Sequence, residues 1–324
     1  MANAPQTLSL VIPVYFEEQV IQAFYHRVLE TLAPVGSEFE LELVFVNDGS
    51  TDRSLEILLN LREQDPRVKV LHFSRNFGHQ IAVTAGMDYA TGEVVVIIDA
   101  DLQDPPEVIL EMLSKWREGY KVVYGVRAER KGENAFKLLT AKAFYRILGR
   151  LSDVRIPLDT GDFRLMDRAV VEGLRGMREE SRYIRGMVSW LGFKQCGVTY
   201  VRDARFAGKT KYTIGKMVRF AFNGITSFSE KPLVLAGWLG LLVTAGGFAF
   251  LIYIIISKFL RPETIVSGWA SLMGIVIFFG GIQLLSLGIL GQYIGRIYRE
   301  VKRRPLYVLE SAWGWDSVTL GNRE

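Results

Sequence analysis

Short apolar runs alternate with longer segments of mixed polarity along the first 130 residues of the chain. The runs are rich in Val, Ile and Leu, as expected of strands buried on both faces of a parallel sheet. The pattern predicts strands at Leu8–Val14, Leu41–Val46, Val68–Phe73, Val94–Ile98 and Val122–Gly125, with a further strand at Gln195–Val201. Strands joined through helices form right-handed crossovers, so the sequence predicts an α/β fold with a mostly parallel sheet.

The segments between these runs have the length and spacing of helices. The predicted helices are Glu17–Leu32, Asp52–Gln64, Gly78–Ala90, Pro105–Arg117, 133–151 and one that begins near Asp167. A later segment, Thr213–Phe228, mixes basic and apolar positions. That mixture is typical of an amphipathic helix lying at a membrane surface, with an ordinary core-packing helix as the alternative.

Two long stretches near the C-terminus, Pro232–Ser257 and Thr264–Gly295, contain no charged residue. Each exceeds the roughly 20 helical residues that cross about 30 Å of hydrocarbon. Lys and Arg cluster outside the pair and are scarce in the loop between them, so the positive-inside rule predicts a transmembrane hairpin with both termini in the cytoplasm. The sequence therefore predicts four regions. A soluble domain at 1–210 is followed by juxtamembrane amphipathic helices at 211–231. A membrane region at 232–296 contains the two spans, at about 232–257 and 266–295, and a cytosolic tail follows at 297–324.

Composition narrows the classes of protein and of partner. The single cysteine, Cys196, excludes an intrachain disulfide framework, and three histidines without an HExxH pattern leave little room for a catalytic zinc site. The N-terminus lacks the basic and apolar regions of a signal peptide, so the soluble domain is expected to stay in the cytosol. The net charge is only +4, and the basic residues flank the predicted spans, which argues against a nucleic-acid partner. Glycines on both spans favour close helix contact and a homo-oligomer.

Two carboxylates at the end of the fourth predicted strand carry the strongest chemical signal. Asp99 and Asp101 are separated by one residue, so in extended backbone their side chains point the same way. Converging carboxylates repel each other, and a bound divalent cation explains their proximity. Hard oxygen ligands suit Mg²⁺ or Mn²⁺, which takes further ligands from water and a diphosphate; Gln103 offers an additional amide oxygen. The alternative is a solvated acidic turn before Pro105.

Polar clusters also follow the other predicted strands, at the sheet edge where α/β proteins bind ligands. In Asn47–Asp52, a carboxylate is a candidate partner for a base or ribose, although the same residues are typical of a capped turn. Basic side chains suit phosphate groups, since arginine binds them with a bidentate fork. The candidates are Arg127, Arg130, Arg146, Arg182, Arg185, Lys209 and Lys211, of which any single one is more often simply solvated.

Five segments together resemble family 2 glycosyltransferases of the polyisoprenyl-phosphate type, which include dolichol-phosphate mannose synthases and bacterial bactoprenol glucosyltransferases. The segments are VIPVYFEE, VFVNDGSTD, SRNFGHQ, VVIIDADLQDPPE and LDTGDFRLMDR. The resemblance covers about residues 7–230, and the paired C-terminal spans match the bacterial branch. It implies a Rossmann-like glycosyltransferase-A domain that binds a nucleotide-diphosphate sugar at the sheet edge.

The resemblance also implies roles for individual positions. Pro13, Tyr15, Glu17 and Asp48 would contact the base and ribose, while Asp99, Asp101 and Gln103 would hold the metal and diphosphate. The DTGDFR segment matches the acceptor side, where a carboxylate would orient the acceptor, bind a sugar hydroxyl or stabilise charge at the anomeric carbon. Asp159 is the first choice for this role and Asp162 the second, with a structural turn as the alternative. A lipid monophosphate acceptor is largely dianionic at neutral pH, so little proton abstraction is required.

The expected function is transfer of a hexose, with glucose from UDP-glucose as the first choice, to undecaprenyl phosphate at the cytoplasmic face of a bacterial plasma membrane. The reaction would be metal-dependent and inverting. Another donor, such as GDP-mannose or a modified UDP-pentose, fits the same sequence. A processive polysaccharide synthase is disfavoured because the sequence has no QxxRW segment and too few spans for a channel. The alternative of a different class is a non-catalytic, membrane-anchored protein that binds nucleotide sugars.

Overall fold

The computed structural model describes residues 5–128, 160–202, 231–260 and 268–315. The chain divides into two compact units. The first comprises Met1–Gly149, Val154–Met217 and Pro305–Glu324, and the second comprises Arg150–Asp153 and Val218–Arg304. The end of the chain therefore belongs to the same unit as the predicted soluble domain.

The first unit alternates strands and helices in the predicted order. Its elements before residue 129 are β1 (Gln6–Val14), α1 (Ile21–Leu32), a 3₁₀ turn (Ala33–Val35), β2 (Phe39–Asn47), α2 (Ser54–Gln64), β3 (Val68–Phe73), α3 (His79–Tyr89), β4 (Val94–Ile97), α4 (Val108–Arg117) and β5 (Val122–Arg127). Those after residue 159 are β6 (Thr160–Asp167), α5 (Arg168–Gly176), α6 (Ile184–Trp190), β7 (Gln195–Tyr200) and β8 (Leu309–Trp313).

The strands form one sheet in the order β7-β5-β6-β4-β1-β2-β3-β8. Strand β1 pairs in parallel with β2 and β4, β2 with β3, and β5 with β7. Strand β6 is antiparallel to β4 and β5, and β8 is antiparallel to β3. The prediction of a Rossmann-like α/β fold with a mostly parallel sheet is confirmed.

Close packing of α3 on the centre of the sheet fixes the position of that helix. A Cβ atom at Gly86 of α3 would lie 2.2 Å from Cγ1 of Val11 in β1, so only glycine lets the helix approach this closely. Val11 is fully buried, as are the neighbouring apolar residues of β1 and all of β4. The unbroken apolar runs that predicted these strands are therefore explained by burial on both faces of the sheet.

The structure differs from the predicted elements most clearly at α1, β6 and β8. Helix α1 begins at Ile21 instead of Glu17, because Phe16 has a positive φ of 57° and the carbonyl of Glu17 first accepts a turn bond from the amide of Val20. Strand β6 was not predicted, since its polar residues Asp162 and Arg164 interrupt the apolar pattern. Strand β8 was not predicted either, because it follows the long apolar segments and lies in the predicted tail.

The second unit contains two long helices, α7 (Lys231–Leu260) and α8 (Trp269–Val301), where two spans were predicted. A Cβ atom at Gly247 of α7 would lie 3.4 Å from the ring of Phe279 in α8, so this glycine lies at the helix contact. Within the described residues, the segment Phe278–Val301 is long and apolar enough to cross a membrane, whereas the apolar segment of α7, Ala236–Gly247, is shorter. The structure thus supports one candidate span and does not establish the hairpin.

Two further predicted elements fall outside the described ranges. They are the helix at 133–151 and the amphipathic helix at Thr213–Phe228. Both stay predictions.

Candidate active site

The ends of three parallel strands meet at one edge of the sheet. Val14 of β1 is in register with Asn47 of β2, and Val11 is in register with Ile97 at the end of β4. The loops that follow are joined by hydrogen bonds, since the amides of Phe16 and Glu17 donate to the hydroxyls of Ser50 and Ser54 at 3.1 Å each. The predicted convergence of polar clusters at the carboxyl edge is present.

The carboxylate of Asp48 lies almost fully buried beneath this edge and holds the loop between β3 and α3. It accepts hydrogen bonds from the amide of Phe77 at 2.6 Å, the amide of Gly78 at 2.9 Å and the side-chain amide of Asn76 at 2.8 Å. Burial raises the pKa of Asp48 despite the bonds from Phe77 and Gly78. A carboxylate has about four lone-pair sites, so three of them already serve the protein itself.

Two of the other predicted nucleotide contacts differ in how accessible they are. Tyr15 is exposed at the edge, with 37% of its surface accessible, and its ring packs against Phe16 at 4.4 Å between centroids. Pro13 is buried within β1, opposite Val46. The side chain of Tyr15 is therefore accessible to a nucleotide, whereas that of Pro13 is buried in the sheet.

The Asp99–Gln103 loop at the end of β4 has an unusual backbone. Leu102 adopts a φ of 58°, in the left-handed region that branched side chains rarely occupy, while its side chain is buried. Asp101 accepts the amide of Gln103 at 3.1 Å across this turn. Strained backbone of this kind persists only where the surroundings hold it, and it is often found at functional sites.

The same loop offers oxygen ligands that fit a divalent cation. Among the described residues, the side-chain Oε1 of Gln103 is buried without a hydrogen-bond partner. Burial raises the pKa of Asp99 to about 6, and the charges of Asp104, Asp101 and Asp162 add to this effect despite the opposing charge of His79. A group of three or more His, Cys, Asp or Glu side chains arranged for metal binding does not occur in the described part of the chain. Asp99, Asp101 and Gln103 would therefore hold Mg²⁺ or Mn²⁺ only with help from a diphosphate and water, which is the usual situation for magnesium.

A cationic side chain that the sequence analysis did not single out lies between two carboxylates. The Nε2 atom of His79 is 3.3 Å from Oδ2 of Asp162 and 3.7 Å from Oδ1 of Asp99. Burial favours the neutral imidazole, but the two carboxylates outweigh burial and raise the pKa of His79 to about 9. His79 is the first residue of α3 and follows Gly78, whose φ of 103° turns the chain into the helix.

Asp162 is the centre of this cluster. It accepts a hydrogen bond from Nε of Arg185 at 2.9 Å and another from Nε2 of Gln80 at 3.0 Å, in addition to its contact with His79. Burial alone raises the pKa of Asp162, but the charges of Arg185 and His79 outweigh burial and hold it well below its ordinary value. The side chain of Asp162 thus joins β6, α3 and α6, and its arrangement is that of a positioning residue.

A second cluster surrounds Asp104, which is 1% exposed and follows the Asp99–Gln103 loop. Asp104 accepts a hydrogen bond from the hydroxyl of Tyr200 and lies 3.8 Å from Nη2 of Arg127 and 3.6 Å from Nε of Arg202. A Cβ atom at Gly161 would lie 2.7 Å from Arg127 Nη2, so the guanidinium also rests against β6. The ends of β5, β6 and β7 are thereby held next to the acidic loop.

The predicted phosphate-binding arginines lie in different surroundings. Arg127 and Arg185 belong to the two clusters just described. Arg182 is buried and donates to the backbone carbonyls of Met177 and Leu174 at the end of α5, which makes it a structural side chain in this conformation. The remaining phosphate-binding candidates lie outside the described residues, as does the predicted catalytic residue Asp159, so their roles stay predictions. These candidates are Arg130, Arg146, Lys209 and Lys211.

Comparison with known proteins identifies the kind of enzyme to which these clusters belong. Residues 9–175 match the model of the family "Glycosyl transferase family 2". A relative in Bacillus subtilis, the uncharacterized glycosyltransferase YkcC, is 54% identical over 312 residues, which cover 96% of each chain. The chain belongs to glycosyl transferase family 2. The predicted family and the prediction of a glycosyltransferase are confirmed.

Two further similarities extend the comparison. The prophage bactoprenol glucosyl transferase homolog of Escherichia coli is 41% identical over 303 residues, covering 94% of this chain and 98% of the relative. Among solved structures, glucosyl-3-phosphoglycerate synthase from Mycobacterium tuberculosis shares 20% identity with a TM-score of 0.46, covering 68% of this chain and 79% of that one.

Proposed function

We propose that this glycosyltransferase transfers a hexose, with glucose from UDP-glucose as the first choice, to undecaprenyl phosphate at the cytoplasmic face of the plasma membrane. The observation that carries the proposal is the cluster at the carboxyl edge of the sheet, where Asp99 and Asp162 flank His79. The near-full-length similarity to relatives named bactoprenol glucosyl transferases supports a polyprenyl phosphate acceptor. We further propose that the reaction depends on Mg²⁺ or Mn²⁺ and inverts the anomeric carbon.

On the donor side, the proposed ligands of the metal are Asp99, Asp101 and Gln103. A divalent cation bound there would supply positive charge to the departing diphosphate. Tyr15 and Glu17 are proposed to contact the nucleoside, and Asp48 to shape the same pocket through the loop that it holds. The unpartnered oxygen of Gln103 and the raised pKa of Asp99 support this assignment, because both groups gain from a cation.

On the acceptor side, the dianionic lipid phosphate needs orientation and charge compensation more than it needs a base. Arg127 is proposed to bind phosphate, since its guanidinium already lies at the edge beside the acidic loop. Asp162 is proposed to keep His79 and Arg185 next to Asp99, where their charges balance those of the phosphates. Asp159 keeps its proposed role of orienting the acceptor or stabilising charge at the anomeric carbon.

The connectivity of the sheet supports the transmembrane hairpin. Strands β7 and β8 lie in the same sheet, so the chain between Tyr200 and Leu309 crosses a membrane an even number of times. Residues 203–230 carry charges throughout their first half and have no apolar run of spanning length. If α8 crosses once, α7 must supply the second crossing, and both termini then lie on the same side. The basic residues that flank the pair favour the cytoplasmic side. The glycines of α7 and α8 also suit contacts between copies, so we propose a homo-oligomer.

Cysteine labelling tests this topology. In a Cys196→Ser background, Glu263→Cys places a thiol in the loop between the two helices, and Asn322→Cys places one near the C-terminus. We expect a membrane-impermeant maleimide to label Glu263→Cys in intact cells and Asn322→Cys only after lysis. Labelling of Glu263→Cys only after lysis would overturn the hairpin.

A donor panel tests the reaction itself. Purified protein is incubated with undecaprenyl phosphate and radiolabelled UDP-glucose, UDP-galactose, GDP-mannose or a UDP-pentose, with Mg²⁺, with Mn²⁺ or with EDTA. We expect label in the lipid fraction from UDP-glucose, and its loss in EDTA. Transfer from another sugar nucleotide would correct the donor, and nucleotide binding without transfer from any donor would favour the non-catalytic alternative. Transfer that persists in EDTA would contradict the metal assignment.

A further inference from the structure

The C-terminal segment Tyr307–Trp315 follows helix α8 but packs into the sheet of the first unit. Its strand β8 covers the edge of β3, and the amide of Ser74 donates to the carbonyl of Val308 at 3.1 Å. At its far end, the indole nitrogen of Trp315 donates to the carbonyl of Tyr89 at 3.3 Å. The segment therefore contacts both β3 and α3, the two elements that the loop 74–78 connects.

A row of three aromatic rings runs from this segment to the buried carboxylate of Asp48. The ring of Tyr307 stacks on Phe73, with centroids 5.3 Å apart and planes 17° apart. Phe73 meets Phe77 edge to face at 5.5 Å. The amide of Phe77 donates to the carboxylate of Asp48 at 2.6 Å. Two ring contacts therefore connect Tyr307 to Phe77, the residue that binds Asp48.

The hydroxyl of Tyr307 binds the C-terminal end of α3. It donates to Oδ2 of Asp88 at 2.9 Å, near the end of α3, and the same carboxylate pairs with Arg178 at 2.8 Å. Burial, together with the charge of Asp88, raises the pKa of Tyr307, so the hydroxyl keeps its proton and acts as a donor. Tyr307 thus packs on β3 through its ring and binds α3 through its hydroxyl.

We propose that Tyr307 is a positioning residue for the nucleotide donor, acting through Phe73 and Phe77 on the loop that holds Asp48. This inference rests on the proposed function of Asp48 at the donor nucleoside. The segment that follows the last long helix is then part of the donor-binding scaffold. The ring contacts of Tyr307 set the position of the backbone at 76–78. This backbone in turn holds the carboxylate of Asp48 beneath the nucleoside.

The test compares variants of the full-length protein in detergent. Binding of UDP is measured by titration calorimetry, and kcat and KM are measured for the sugar nucleotide and for undecaprenyl phosphate. We expect Tyr307→Leu to raise the Kd for UDP and the donor KM about three- to tenfold, the scale of a lost aromatic pair. The acceptor KM and kcat should stay unchanged. Tyr307→Phe keeps the ring and should restore donor affinity, and Val308→Ala, whose side chain is half exposed, is the matched control.

Three results would overturn the inference: an unchanged donor KM in Tyr307→Leu, an equal change in every kinetic constant, or a failure of Tyr307→Phe to restore UDP affinity. If Tyr307→Leu does not fold, Phe77→Leu decides, because it removes the ring nearest Asp48, and unchanged UDP affinity in that variant also overturns the inference. A wild-type protein that binds neither UDP nor GDP would instead refute the proposed function.

Discussion

Replacing Asp99 by Asn is expected to lower sugar transfer by about 10²–10³-fold, the usual effect of removing one group that stabilises charge in the transition state. Metal-dependent binding of UDP should be lost as well. The reason is that Asp99 is a proposed ligand of the cation and lies 3.7 Å from His79 in the same cluster. The measurements are the initial rate of lipid glycosylation and the UDP affinity with and without Mn²⁺.

The same substitution should stabilise the metal-free protein, although it inactivates the enzyme. The pKa of Asp99 is raised from 3.8 to about 6, so ionising this carboxylate costs the folded protein stability from about pH 4 upwards, with the full cost above about pH 6. Asparagine removes this cost. The unfolding temperature in EDTA should therefore rise at pH 7, and the gain should shrink as the pH falls from 6 towards 4.

A matched control is Glu40→Gln, which neutralises an exposed carboxylate of β2 and should change neither transfer nor stability. Unchanged metal-dependent UDP binding in Asp99→Asn would refute the metal site. A lower unfolding temperature in EDTA at pH 7 would show that the electrostatic cost assigned to Asp99 is wrong.

Replacing Asp162 by Asn is expected to produce the largest loss of stability. The carboxylate is 11% exposed and is paired with Arg185 and His79, so its loss removes the negative charge that lies between these two cations. Removing one member of a buried ion pair costs about 3–5 kcal/mol. At about 2–4 °C per kcal/mol, the value for domains of about 150–250 residues, the unfolding temperature should fall by roughly 6–20 °C.

The double variant Asp162→Asn, Arg185→Gln should lose less than the sum of the two single variants, because the pair is coupled. Glu172→Gln is the surface control, since its carboxylate is half exposed and bridges Arg168 and Arg175. Exposed pairs contribute about 0–1 kcal/mol, so this variant should unfold near the wild-type temperature. If the losses of stability in Asp162→Asn and Arg185→Gln were additive, the proposed coupling between the two residues would be wrong.

Much of the proposed donor side could be predicted from local sequence. Strands buried on both faces produce unbroken apolar runs, and the residues that follow them must lie at the carboxyl edge of a parallel sheet. That reasoning located Asp48 and the Asp99–Gln103 loop correctly at one edge. The family assignment came from five short segments that are separated along the chain and specific only in combination.

The proposed acceptor side was harder to predict because its residues come from elements with no periodic signal. His79 is the first residue of a helix, and the sequence offered only its place in the SRNFGHQ segment as a hint. Asp162 lies in β6, an antiparallel strand inserted between β4 and β5. Its residue Asp162 contacts partners on α3 and α6. These partners are distant along the chain, so a single sequence does not reveal them.

The chain's own pattern of apolar runs, turns and uncharged stretches determined the α/β class, the strands β1 to β5 and β7, and the acidic loop after β4, because these depend on neighbours within about 20 residues. Only the tertiary structure decided that Asp162 pairs with His79 and Arg185, and that Tyr307 reaches β3 and α3. Such contacts join residues 23 to 234 positions apart, and they are set by how the strands are ordered in the sheet, which no local pattern encodes.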